Sequence, residues 1–288
     1  MLGFLSPKND LAFKRIFGTE KNKDILIHFL NDIFARTDNP IETVTFLKSA
    51  QEPTIAAQRA SIVDILCQDA IGERFIVEMQ VVHRAGFIKR AQYYAAKAYI
   101  DQREKGTEFR DLKSVTFLAI TDFVLFPEKE KYLSHHVTLD SETHEHNLKD
   151  FSFCFLELPK FKKTKEQLKT LTEKWAYFFK HAEQTTQAEL SCIVGSDTII
   201  QRAYDELARF AWSQEELRNY DSVDMKQGSE EDIRIQAKMD GQKEEKIAVA
   251  KNMLVLGFSI CNIETITGLS EADINVLRFE CMTEEPQI

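Results

Sequence analysis

Three polar side chains interrupt two otherwise apolar stretches: Asp64 within IVDIL, and Glu78 and Gln80 within FIVEMQVV. Side chains on a strand alternate faces, so Glu78 and Gln80 point the same way, about 7 Å apart along the strand. A short turn between the stretches would set Asp64 on the neighbouring strand, where its carboxylate can share that face. Two carboxylates among apolar neighbours cost free energy unless something pairs with them. A hard divalent cation is one such partner, and Mg²⁺ keeps several waters and a substrate phosphate as its other ligands. It can acidify a bound water and stabilise charge building on phosphorus. Spacing alone leaves two readings open. One is that metal centre, and the other is a sheet with a wet face carrying three ordinary surface residues.

Other candidate ligands carry less. His135 and His136 are adjacent on a strand and so face opposite ways, and His144 and His146 sit in the polar stretch SETHEHN. No Cys or third His stands at a useful spacing, so a zinc site is not expected. The five cysteines are scattered and unpaired in sequence, most of them among apolar neighbours, which suits core residues in a reducing cytoplasm. No apolar run approaches the roughly 18 residues that span a bilayer, and the N-terminal stretch lacks the ordered parts of an export signal.

The net charge of −9 argues against a nucleic-acid partner until its distribution is read. Acids crowd residues 215–245, whereas residues 84–110 carry Arg84, Lys89, Arg90, Lys97, Arg103, Lys105 and Arg110. A second basic run, LPKFKKTKEQLK, covers residues 158–169. Phosphate binding depends on such local stripes, although solvated helix faces look the same.

The elements that must position these groups follow from periodicity. Ser6-Pro7 reads as a helix start, with Leu11, Phe13, Ile16 and Phe17 at helical spacing and Gly18 as the stop. A second helix spans residues 22–34. A strand over residues 43–50 precedes the hairpin, which turns at Asp69-Ala70-Ile71-Gly72. Residues 84–105 read as helix, stopped by Gly106. Three further strands come next (SVTFLAITDFVLF, YLSHHVTLD and FSFCFLEL), and a helix rich in large apolar side chains follows Pro159. Residues 213–240 read as an acidic linker or solvated helix. Three helices then follow, the last two led by Ser259 and Ser270.

Asp64 followed by Glu78-Met79-Gln80 resembles the D…ExQ signature of PD-(D/E)XK nucleases. More closely, the chain resembles the Rpn family of recombination-promoting nucleases, also described as PD-(D/E)XK transposases. KNDLAFKRIFG is similar to that family's opening helix, VDILCQDAIGERFIVEMQV to its catalytic hairpin, and IAVAKNMLVLGFSICNIETITGLSEADI to its C-terminal segment. Phe87, Arg90, Tyr93, Tyr94 and Gln102 resemble the marks of its next helix. The resemblance implies an α/β, restriction-endonuclease-like mixed sheet flanked by helices, with a small C-terminal helical module. The domains would be a nuclease domain over residues 1–212, the acidic segment 213–240, and a helix-turn-helix-like segment 241–288.

It further implies Asp64, Glu78 and Gln80 as the catalytic set, with Asp64 and Glu78 holding Mg²⁺. Asp10 would be a further ligand, although an Asp in the first turn of a helix is also favoured by the helix dipole. The substrate would be DNA, gripped by Arg84, Lys89, Arg90, Tyr94 and Lys97, and the activity a metal-dependent endonuclease linked to recombination or transposition. For Tyr93 and Tyr94 themselves, core packing with satisfied hydroxyls is the favoured reading. Two departures stand out: Gln80 replaces the commoner Lys and cannot act as a base, and Val63 replaces Pro. A nuclease fold that binds or regulates without cutting is the alternative. The would-be recognition helix SEADINVLRFE is acidic, so the tail suits dimerisation better than base reading.

Overall fold

The structure is a computed structural model that describes residues 3–48, 50–51, 61–103 and 108–283. Residue 49 of the expected first strand, Lys105 and the expected helix stop at Gly106 lie outside the described residues. Strands are β1 (Val44–Phe46), β2 (Ala50–Gln51), β3 (Ser61–Ile62), β4 (Ile65–Asp69), β5 (Arg74–Gln80), β6 (Val115–Thr121), β7 (Leu133–Val137) and β8 (Phe151–Glu157). Six of them form one mixed sheet in the order β1-β4-β5-β6-β8-β7, and β2 pairs with β3 apart from it. At its centre β5, β6 and β8 run parallel, while β4, β1 and β7 are antiparallel to their neighbours.

The β4–β5 turn shows why the hairpin closes where it does. Asp69 Oδ1 accepts from the Ile71 and Glu73 amides at 3.1 and 2.9 Å, an Asx-type turn. Gly72 supplies a φ of 87°, which a side chain would strain. Pairing then runs from Gln68↔Arg74 to Ile65↔Val77, which leaves Asp64 just past the end of β4.

Both faces of the sheet are covered. That is why β6 is buried along almost its whole length rather than alternating. One face packs α1 (Asp10–Phe17), α2 (Lys23–Phe34), α4 (Leu171–His181) and α6 (Thr198–Leu207) around an aromatic cluster. Phe17 is its hub, with ring centroids 5.1 Å from Phe29, 5.5 Å from Phe179 and 5.8 Å from Trp175. α5 (Gln187–Val194) adds Leu190 and Ile193 to the same core. The other face carries α3 (Phe87–Ile100), whose Ala91, Ala95 and Ala98 let it lie close on the strands.

Two helix starts differ from the sequence expectation. α1 begins at Asp10, capped by Asn9, whose Oδ1 accepts from the Leu11 amide at 3.0 Å. Ser6 is instead a buried anchor whose amide donates to Tyr220 Oη. α3 begins at Phe87 rather than residue 84, because Gly86 holds a left-handed φ of 81°. The cysteines also divide more evenly than expected: Cys67 and Cys154 are buried, while Cys192 and Cys261 are exposed.

The chain forms two compact units, one up to Met225 and one from Lys226 onward. Residues 214–255, whose first part reads as linker or solvated helix, form the single helix α7 (Gln214–Val255). In the second unit, α8 (Ile260–Thr267) and α9 (Glu271–Thr283) pack with the end of α7 around Ala250, Met253, Ile263 and Ile274. Ser259 caps α8, and Gly268 ends it at a φ of 67°. Among the described residues no helix is long and apolar enough to cross a membrane.

Candidate metal centre

Glu78 lies in the middle of an otherwise apolar strand and is only 3 % exposed. The cost of placing a carboxylate there is met in part by the hairpin itself. The Asp64 amide donates to Glu78 Oε1 at 3.3 Å, and the Met79 amide donates to Asp64 Oδ2 at 2.9 Å. Each acid is thereby held by the backbone beside the other. Gln80 sits two residues on, on the same face, and its amide nitrogen donates to Glu78 Oε2 at 3.3 Å and to the Met79 carbonyl at 3.0 Å. The three residues singled out in the sequence are thus in one place.

α1 delivers two more groups. The Asp10 carboxylate and the Lys14 ammonium, one turn apart, are 2.8 Å from each other, and Lys14 Nζ is 3.8 Å from Asp64 Oδ1. Lys14 was not among the expected site residues. Its i,i+4 relation to Asp10 is visible in the sequence, but the approach to Asp64, 50 positions away, is not.

The charges are unbalanced. Burial raises the Asp64 carboxyl well above the ordinary carboxylate range, and the neighbouring Asp10 adds to the rise despite the Met79 amide. Burial raises Glu78 further, and the Asp64 charge adds to it. Burial works against the Lys14 ammonium, yet Asp10, Asp64 and Glu78 together raise its pKa. A strongly perturbed acid pair beside a cation is a mark of a functional site.

From α3, Arg90 reaches in and donates to Gln80 Oε1 at 2.6 Å. Its guanidinium lies 5.1 Å from the Phe87 ring centre and 5.9 Å from that of Tyr94. Arg90 therefore belongs to the centre, fixing which end of the Gln80 amide faces Glu78. Tyr94 is half-buried, while Tyr93, expected with it in the core, is 54 % exposed. Arg84 and Lys89 are exposed and Lys97 is half-buried.

The donor set suits a hard cation. Asp64 and Glu78 offer two carboxyl groups in one place, and two such ligands, once deprotonated and completed with water, match Mg²⁺ usage. They do not suit a closed cage: among the described residues no group of three or more His, Cys, Asp or Glu is arranged to hold a metal.

A six-stranded mixed sheet covered by helices, with an acid pair at the mouth of its β4–β5 hairpin, defines an α/β fold of the nuclease type. The chain belongs to the PD-(D/E)XK nuclease family transposases, whose family model matches residues 7–237. Comparison with curated proteins and with solved structures gives no match. Membership supports a function related to nucleases and transposases, with DNA as the substrate of the class and a divalent metal ion as its usual cofactor.

Proposed function

We propose that the protein is a Mg²⁺-dependent DNA endonuclease that hydrolyses phosphodiester bonds, with a role in recombination or transposition. The observation that carries this reading is the Asp64–Glu78 pair, clamped by its own hairpin, with Glu78 buried and Asp64 half-buried beside it. Asp64 and Glu78 would hold the metal, with Asp10 turning from Lys14 to join them. When bound, the metal supplies an acidified water and stabilises charge on the phosphorane-like transition state.

The chain's own residues do the rest. Gln80 cannot take a proton, so its part is to orient, and Arg90 locks it in place for that. Lys14 brings to the centre the positive charge that Gln80 lacks, and once Asp10 turns away its ammonium is free to contact a phosphate oxygen. Arg90 spends one donor on Gln80 and has others for the DNA backbone, with Arg84, Lys89, Tyr94 and Lys97 further along the same segment.

Plasmid nicking with Mg²⁺, with EDTA, and with Asp64→Ala beside wild type tests the proposal. Nicking that needs metal and disappears in the variant supports it. Folded protein that nicks under no divalent metal would overturn it in favour of a nuclease fold that binds without cutting. The Asp10–Lys14 ion pair favours that second reading, because it already occupies one candidate ligand. Pairing of chains through the C-terminal helices is also a proposal, tested by sedimentation of wild type and Phe279→Glu.

A further inference from the structure

The second basic run, residues 158–169, plays no part in the centre described so far. Strand register shows where it leaves the sheet. Gln80 pairs with Thr121, and Thr121 with Glu157, so the carboxyl ends of the three parallel strands lie side by side. The spacing of neighbouring strands puts the end of β8 roughly 10 Å from Gln80. Ligands of α/β sheets bind at this edge. From Glu157 the chain turns at once into Leu158–Lys160 and then into the lysines.

Those lysines line a cleft of about 350 Å³. Lys162, Lys163, Lys165 and Lys180 face one lining carboxylate, Glu166. Lys163 and Lys165 are engaged by Glu173 and Glu189. Lys162 is exposed and forms no ion pair with any described residue, and Lys180 donates only to the Phe161 carbonyl. Burial, Lys162 and Lys8 all weaken proton binding by Lys180, which Asp122 only partly offsets. Lys8 is itself 2.6 Å from Asp122, whose amide donates to the Gln80 carbonyl. Lys180 thus feels both the cleft lysine Lys162 and the Lys8–Asp122 pair that adjoins the Gln80 end of the sheet. Its other wall is aromatic: the Tyr177 and His181 rings lie with centroids 4.7 Å apart, tilted by 40°.

We infer that this cleft binds a single strand of nucleic acid, with phosphates on Lys162 and Lys180 and a base against Tyr177 and His181. A basic groove beside an aromatic platform is how single strands are held without reading sequence. Its volume of about 350 Å³ is at the small end of ligand sites, room for a base and its phosphate. The inference deepens the nuclease reading, since the strand would be the substrate continuing past the cut.

The test is binding of a labelled oligothymidylate and of a hairpin duplex by fluorescence anisotropy, in EDTA so that nothing is cut. Lys162→Glu and Tyr177→Leu are each expected to weaken single-strand binding by about tenfold. Lys162→Glu should also lower the salt slope by about one. Lys238→Glu, an exposed lysine in the second compact unit that lines no part of the cleft, should leave affinity within about twofold. Equal losses in Lys162→Glu and Lys238→Glu, no loss in either, or an equal loss on the duplex would overturn the inference. Nicking is read separately through Asp64→Ala, so the cleft can fail while the metal centre stands, and the reverse.

Discussion

Helix α1 serves two regions that solve opposite problems. On one side Phe13 and Phe17 enter an aromatic cluster in which Phe29, Trp175, Phe178 and Phe179 are fully buried against them. On the other, Asp10 and Lys14 meet Asp64 and Glu78, two acids whose charged forms burial disfavours. The first region lowers the free energy of the native state. The second raises it, and is tolerated because the first is large. The lesson is that this protein separates stability and chemistry by helix face, not by domain.

The sharpest way to break that division is to exchange the expected effects. Asp64→Ala should lower the nicking rate by on the order of a hundredfold to a thousandfold, the scale of removing one charge-stabilising group. The same change should leave the urea midpoint equal or higher, since it removes a buried charge. A large loss of stability with activity intact would reverse the assignment. Phe17→Ala should do the converse, costing about 3–5 kcal/mol in urea denaturation. A cost below about 1 kcal/mol would mean the cluster is not the stabilising region.

Acidity sharpens the comparison. Because the folded pKa values of Asp64 and Glu78 are raised, the native state binds more protons than the unfolded chain from about pH 4 towards neutrality and above. Their contribution is thus fullest at low pH and is lost as pH rises through the folded values. Without metal, the melting temperature should fall across that window, and Glu78→Gln should flatten the fall. His28 acts in the same direction: burial lowers its pKa, but Asp32 and Asp197, 2.9 and 3.2 Å from its ring nitrogens, raise it overall. His28→Asn should therefore remove a separate, smaller part of the slope. Added Mg²⁺ should stabilise more at pH 8 than at pH 6, because its ligands must first lose their protons. Equal metal shifts at both pH values would argue that these acids are not the ligands.

The smallest expected effect is at Arg90. Arg90→Lys should cost about tenfold in nicking, since an ammonium cannot both hold the Gln80 oxygen and lie along the Phe87 and Tyr94 rings. Stability should change little. A melting temperature lowered as far as in Phe17→Ala would place Arg90 with the core and not with the centre.

Much of this was legible in the sequence where local rules operate. The hairpin, its Asp69–Gly72 turn and the grouping of Glu78 with Gln80 follow from period-two alternation and turn chemistry. Of the strand expected over residues 43–50, Val44–Phe46 pairs in the main sheet and Ala50 belongs to β2, because β-rich composition does not say how long an edge strand stays paired. Ser6-Pro7 carried a good helix-start signal, but a contact with Tyr220, over 200 positions away, claimed Ser6 and left the cap to Asn9. Lys14 and the role of Arg90 were hidden for the same reason. Each depends on which helix packs over which strand end, and no local pattern encodes that. The basic run at residues 158–169 was visible as composition, but only strand register shows that it starts at the same edge as Gln80.

The reciprocal clamp between Asp64 and Glu78 also has a consequence in time. It joins residues 14 positions apart across one tight turn, a contact of the kind that hairpins make within about 1–10 μs. Asp10 and Lys14 can arrive only when α1 docks, a closure over some fifty residues that must wait for the aromatic core. The acid pair is thus expected to exist before the groups that complete it, and a nascent chain would carry a half-built centre that a cation could find early. Divalent metal present during refolding should then speed recovery of the native state, and not merely stabilise it once formed.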